Sequence, residues 1–259
     1  MPFTLAHPAV APGVQRLTRG RLVLSGIVVG SMAPDFEYFV RLAPDGRLGH
    51  TFGGLFVWCL PASLVALAAW YLLVRPALAT LLSANSSLRP ILQERFAFRG
   101  VDAMLNLCVS ILVGAETHLG WDAFTHSNGF MVSRLPLLAS EAAWGVPVHV
   151  YLQVLSSAGG MLFLFAPIRS ATRLVWREFL RFPSAAGKRV MGFLVAATVV
   201  GALANLARTQ TPSPLPAGVV PGQVEVTALA LGAVAASISA FLAYAVISRF
   251  VRVATRVPA

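Results

Sequence analysis

Apolar residues run through this chain in long blocks separated by short stretches that carry most of its arginines. Five blocks, 51–74, 101–121, 148–168, 190–207 and 224–247, approach or exceed the roughly 18–20 residues that a helix needs to cross a bilayer. In lipid every backbone polar group must be paired within its own segment, so each block is expected to be helical. Pro61 falls inside the first block and predicts a kink. A sixth run, 22–33, is too short to cross and stops at Pro34, which biases Ala33 away from helix. The pattern predicts an all-α fold: a polytopic transmembrane helical bundle of about five clear spans, plus a partly embedded N-terminal helical segment. Residues 1–168 read as one membrane domain, and 169–259 as a basic cytoplasmic loop with two C-terminal scaffold spans.

Composition agrees with that pattern. The chain is 57% hydrophobic and 12% charged, against roughly 25% charged in soluble domains. Its formal net charge of +10 would suggest nucleic acid in a soluble protein. Here the arginines gather in 75–100, 169–189 and the C-terminal tail, and no soluble basic domain exists to bind nucleic acid. Basic loops stay on the cytoplasmic side. The C-terminus is therefore expected in the cytoplasm, with 122–147 and 209–223 outside the plasma (inner) membrane. The lipid bilayer is the one partner that the composition implies, and it leaves the oligomeric state open. Cys59 and Cys108 both lie in apolar runs, which excludes a disulfide framework. Arg16, Arg19 and Arg21 precede the 22–33 run as in a signal peptide, but Pro34 follows the apparent cleavage box, so the segment is expected to be retained.

Against this apolar background the stretch THLGWDAFTH, residues 117–126, stands out. His118 and Asp122 are four residues apart and share one helix face, and His126 follows one turn later. Ionisable groups at a span are costly and point to function. His50 opens the first span on the side where the second one ends, and a short loop ties Asp35 to His50. His7 joins them if the N-terminal segment folds back as a re-entrant hairpin; if 22–33 crosses instead, His7 lies on the opposite side. Five candidate metal ligands result, His7, Asp35, His50, His118 and Asp122, with His126 in reserve, enough for one ion or a cramped pair. Nitrogen and carboxylate donors suit zinc first, then manganese or iron. An open position on such an ion would serve hydrolysis, with Asp35 or Glu37 as general base. His149 reads as structural, Glu116 faces away from His118, and Asp102 and Asn106 sit at the opposite end of their span.

Four motifs, MPFTLAHP, GSMAPDFEY, Gly49-His50 and THLGWDAFTH, resemble a family of multi-spanning bacterial membrane proteins known only as a domain of unknown function. The likeness covers residues 1 to about 160. More distantly the order of motifs is similar to inner-membrane metal-dependent hydrolases and to zinc-dependent phospholipase C. That resemblance implies that His7, Asp35, His50, His118 and Asp122 ligate metal, and that the substrate is lipid-like or a phosphoester. Gly49-His50-Thr51-Phe52 is a reduced form of the His-Arg-Gly-x-Thr-His pattern of those hydrolases. Two non-enzymatic readings stand beside hydrolysis: a polar cluster that relays ions or protons, and a structural metal clamp holding the N-terminal segment to the bundle.

Overall fold

The computed structural model describes residues 4–82, 86, 88, 92, 100–180, 185–209 and 223–254. Every regular element among them is helical. A 3₁₀ turn, Thr4–Val10, leads into α1 (Ala11–Leu17), and α2 (Leu24–Gly30) leads through a 3₁₀ turn, Ala33–Asp35, into α3 (Phe36–Arg41). A long helix α4 (Phe52–Leu81), α5 (Val101–Thr125), a short α6 (Pro136–Ala139), α7 (Val148–Leu180), α8 (Ala185–Thr209) and α9 (Gln223–Ala254) follow. Five helices are long and apolar enough to cross a membrane: Phe52–Leu81, Val101–Thr125, Val148–Phe165, Arg189–Thr209 and Val224–Phe250.

The helices run further than the apolar blocks. Arg75 and Pro76, expected in a loop, continue α4 to Leu81. The basic segment 169–189, also expected as a loop, is helical to Leu180 and again from Ala185. Hydropathy marks where the lipid ends, not where the hydrogen-bond ladder ends. Most of 83–99 and the linker 210–222 lie outside the described residues. The kink expected at Pro61 takes the form of a π-helical turn at Leu55–Cys59, and a second such turn, Trp70–Val74, precedes Pro76. A proline ring crowds the carbonyl of the preceding turn and supplies no N–H, so the helix widens just before it.

The chain divides into two compact units. The first, Met1–Phe36, Gly46–Ala66 and Ala97–Thr172, holds the N-terminal hairpin, the start of α4, α5 and most of α7. Its N-terminal segment doubles back on itself. α1 and α2 form a hairpin that turns at Arg19 and Gly20, both with positive φ, and lies along α5. At the hairpin tip Asn106 Nδ2 donates to the Arg21 carbonyl at 2.8 Å, and the Val23 N–H donates to Ser110 Oγ at 2.8 Å. The contact line from Asn106 to His118 covers roughly 18 Å at about 1.5 Å per residue, more than half of a roughly 30 Å hydrocarbon core. Along it a side chain on Gly30 would strike the Ile111 carbonyl, and one on Gly114 would strike that of Ile27. The two backbones therefore touch. Beneath the far end of the hairpin Ala33, Leu55, Cys59 and Ala115 form a buried apolar cluster.

The second unit contains the end of α4, most of α3, α8 and α9. Asn205 Nδ2 donates to the carbonyls of Ala228 and Leu42, and Arg208 caps the end of α3 through the carbonyls of Arg41 and Leu42. Thr198 and Ser237 join α8 to α9 through their hydroxyls at 2.7 Å.

Gly114→Ala is expected to destabilise the protein by about 1–3 kcal/mol, as overpacking does. Gly120→Ala, on the same helix but with open space around it, should be neutral or slightly stabilising. Thermal unfolding in detergent checks the pair, and equal midpoints would contradict the backbone contact.

Candidate metal centre

α5 presents one buried stripe: Leu107, Ser110, Ile111, Gly114, Ala115, His118, Asp122 and Thr125. The 3–4 residue spacing that puts small residues against the hairpin also puts His118 and Asp122 toward its C-terminal end. His118 is wholly buried, and its Nδ1 lies 2.7 Å from the Ser31 carbonyl. A local cause leaves that carbonyl available. In the tight turn after α2 its natural partner is the N–H of residue 34, which is proline and has none; the Asp35 N–H goes instead to Met32. A carbonyl only accepts, so His118 Nδ1 carries the proton and Nε2 presents a lone pair.

The same turn delivers Asp35, which is 3% exposed. Thr4 Oγ1 donates to Asp35 Oδ2 at 2.6 Å, turning Oδ1 toward the histidines. Thr4 and His7 lie three residues apart in the 3₁₀ segment, where such side chains eclipse, so both face this point. His7 stacks on His118 with ring centroids 3.8 Å apart. Of the two placements open for His7, the hairpin is the one observed: its Nε2 lies 3.8 Å from Asp122 Oδ1. His50 arrives by another close approach, because Gly49 rests against the Pro34 backbone where no side chain would fit. Thr51 then caps α4 by accepting the Gly54 N–H at 2.9 Å, which fixes His50 at the helix entrance.

The donors converge. His50 Nε2 lies 3.4 Å from Asp35 Oδ1 and 3.5 Å from Asp122 Oδ2, and His118 Nε2 lies 3.6 and 3.3 Å from the same two atoms. Donors around a tetrahedral ion with bonds of roughly 2.0–2.2 Å stand roughly 3.3–3.6 Å apart. The four His50 and His118 distances match this spacing, and two three-donor sets, His7–Asp35–His118 and His50–His118–Asp122, hold their donor atoms within 4.8 Å of one another. His7 Nε2, His118 Nε2 and Asp122 Oδ1 are buried and make no hydrogen bond within the described residues. Buried polar atoms are ordinarily bonded, and unbonded atoms of this kind around one point suit a cation between them.

Charge in the cluster is unevenly shared. Burial, with the neighbouring His118, pushes His7 down to about 4, although Asp122 and Asp35 pull the other way. For His50 burial opposes the cation, but bonds to Asp122 and Asp35 outweigh it and raise the value to about 9. Burial also opposes ionisation of Asp35, yet His50, His118 and Thr4 together hold its carboxyl below the ordinary range.

A family model described as a domain of unknown function, DUF4184, matches residues 1–249. The chain belongs to this family. The match includes all five donors and runs well past residue 160, further than the N-terminal motifs alone suggested. No curated protein and no solved structure matches the chain.

Other candidates fall outside the two donor sets. His126 caps α5 and touches Asp122, with Nδ1 3.5 Å from Oδ1, on a part-exposed side chain. Glu37 is buried but belongs to the second unit and holds Arg41 at 2.7 Å. His149 Nδ1 bonds the Leu138 carbonyl at 3.0 Å, and Glu116 is exposed. Two contributors were not evident from sequence, the Thr4 hydroxyl and the Ser31 carbonyl. The signals for them were present, a Thr-x-x-His in a 3₁₀ segment and a proline three residues after Ser31.

The titrations give opposite pH limbs to metal-free protein. The His7 value lies below its ordinary 6.5, so stability falls as pH drops from 6.5 toward about 4, where the unfolded chain takes up the proton first. The His50 value lies above 6.5, so its contribution is complete below 6.5 and is lost as pH rises through about 9. Thermal midpoints of chelator-treated protein should peak between these limbs, and His7→Gln should flatten only the acid one.

Proposed function

We propose that this protein is a membrane-bound, metal-dependent hydrolase whose single ion sits among His7, Asp35, His50, His118 and Asp122. The observation that carries this reading is the set of unbonded buried donors at ion-spacing distances. Both three-donor sets use His118, whose Nδ1 is committed to Ser31. One nitrogen cannot serve two ions, which favours one ion over a pair. Zinc suits two imidazoles and a carboxylate, with manganese or iron next. A divalent ion held by three protein donors lowers the pKa of water and polarises an ester or phosphoester.

The chain's own residues supply the rest. If His50, His118 and Asp122 hold the ion, Asp35 Oδ1, 3.4 Å from His50 Nε2 and fixed by Thr4, is placed to accept a proton as general base. Glu37 serves less well there, since Arg41 engages its carboxylate. His126 stands at the exposed rim beside Asp122. With the arginine-rich segments in the cytoplasm, the site faces outward from the plasma membrane and the C-terminus faces in. The substrate is lipid-like or a phosphoester reached from the membrane plane.

A structural clamp is the second reading, favoured by one observation: His7 and Asp35 come from the N-terminal segment, whereas His50, His118 and Asp122 come from the spans. Five donors on one zinc ion would leave no position for water.

Metal analysis of detergent-purified protein is expected to give about one ion per chain, lost in His118→Ala and Asp122→Ala. A metal-free but folded wild type would refute both readings. Thr4→Val should weaken metal affinity about 10–100-fold by freeing Asp35, measured by chelator competition. Turnover of phosphoesters or lipids by loaded protein, lost on chelation, separates the hydrolase from the clamp, which lowers the melting temperature on chelation without any turnover to lose.

A further inference from the structure

A cavity of about 260 Å³ opens beside the centre, within the first unit. Its walls are Ala6, His7, Ala9 and Val10 of the N-terminal 3₁₀ turn, Thr117 and Trp121 of α5, and Ser156, Ser157 and Gly160 of α7. Thr117 and Trp121 lie roughly 6–12 Å from the end of α5, and Ser156 to Gly160 lie roughly 12–18 Å into α7, at about 1.5 Å per residue. Both helices are long and apolar enough to cross a membrane, so the cavity lies at the depth of hydrocarbon chains.

The wall is chemically closed. Thr117 donates to the Gly114 carbonyl, Ser156 and Ser157 both donate to that of Gln153, and the Trp121 indole donates to Ser156. No hydroxyl proton is left to donate to a polar occupant. The exception is His7, only 8% exposed with Nε2 unbonded, which connects the cavity to the donor cluster.

We infer that this cavity takes one acyl chain of a membrane phospholipid and brings its ester or phosphate linkage to His7 and the donor cluster. The inference rests on the hydrolase reading for the fate of that linkage, but chain binding is measurable without it. Within that reading the substrate is a lipid that enters sideways, not a water-soluble phosphoester.

The test uses full-length protein in phosphatidylethanolamine and phosphatidylglycerol vesicles containing phosphatidylglycerol with a diazirine midway along one acyl chain. Illumination followed by mass spectrometry should place label on residues 6–10 and 156–160, competed by unlabelled phosphatidylglycerol. Ser157→Phe and, independently, Ala9→Leu should cut that label roughly tenfold by filling the cavity, while metal per chain stays at the wild-type value. Label spread over the exposed outer residues Leu155, Leu162 and Phe163, and unchanged in both variants, would overturn the inference whatever the metal content. Specific cavity label on a protein that binds no metal would sustain the chain site and sink the hydrolase reading instead.

Discussion

The centre depends on a backbone contact. α2 and α5 approach until Gly30 meets the Ile111 carbonyl and Gly114 meets that of Ile27, and any side chain at either glycine would hold them apart. At that separation the Ser31 carbonyl reaches His118 Nδ1 at 2.7 Å, and the turn after α2 sets Asp35 across from His118 Nε2. In lipid, helix association draws little from the hydrophobic effect and depends on close packing of small residues. Here the small residues also set the distance at which a backbone acceptor can orient an imidazole. Moving the hairpin away by the width of one methyl group would break that bond and leave the Ser31 carbonyl without its partner.

Electrostatics explains why such a contact is needed. Three imidazoles and two carboxylates within a few ångströms, nearly excluded from water, are expensive to assemble. The fold offsets this cost in part by dividing the roles. The Asp122 and Asp35 carboxylates favour a proton on His50, while burial keeps His7 neutral. What remains uncompensated is a group of buried, unbonded atoms, His7 Nε2, His118 Nε2 and Asp122 Oδ1. A divalent cation answers all of them at once, whereas a proton answers only one.

Much of this was legible in the sequence. The five long helices followed from uninterrupted apolar blocks, and His118 with Asp122 from a four-residue spacing on one of them. The meeting of His50 with that pair followed from the alternation of spans alone. The position of His7 was not legible, because a short apolar run of 12 residues between Arg21 and Pro34 permits either a crossing or a hairpin. Asn106 and Ser110 decide it by binding the backbone of the hairpin tip, and a polar residue deep in a span does not announce its partner. Helix ends were also misjudged at Arg75 and beyond Ile168, since charge stops a span without stopping a helix. Thr4 and Ser31 contribute a hydroxyl and a carbonyl that carry no charge pattern to notice.

The distribution of the donors links folding to metal. His7 and Asp35 belong to the N-terminal segment, and His50, His118 and Asp122 to the helices that the segment packs against. An ion shared between the two groups would stabilise the closed hairpin by its whole preference for that state over the open one, since binding to one state alone shifts the equilibrium toward it. Hydrolase and clamp therefore share one thermodynamic consequence and differ only in whether a coordination position stays open. The cavity beyond His7 bears on that difference. A clamp has no use for a space beside its ion, whereas an enzyme working on lipids needs one, at chain depth and without competing hydrogen-bond donors. The walls formed by Ala6, Ala9, Val10 and Gly160 meet that need on the one side of the cluster where the N-terminal 3₁₀ turn meets α7.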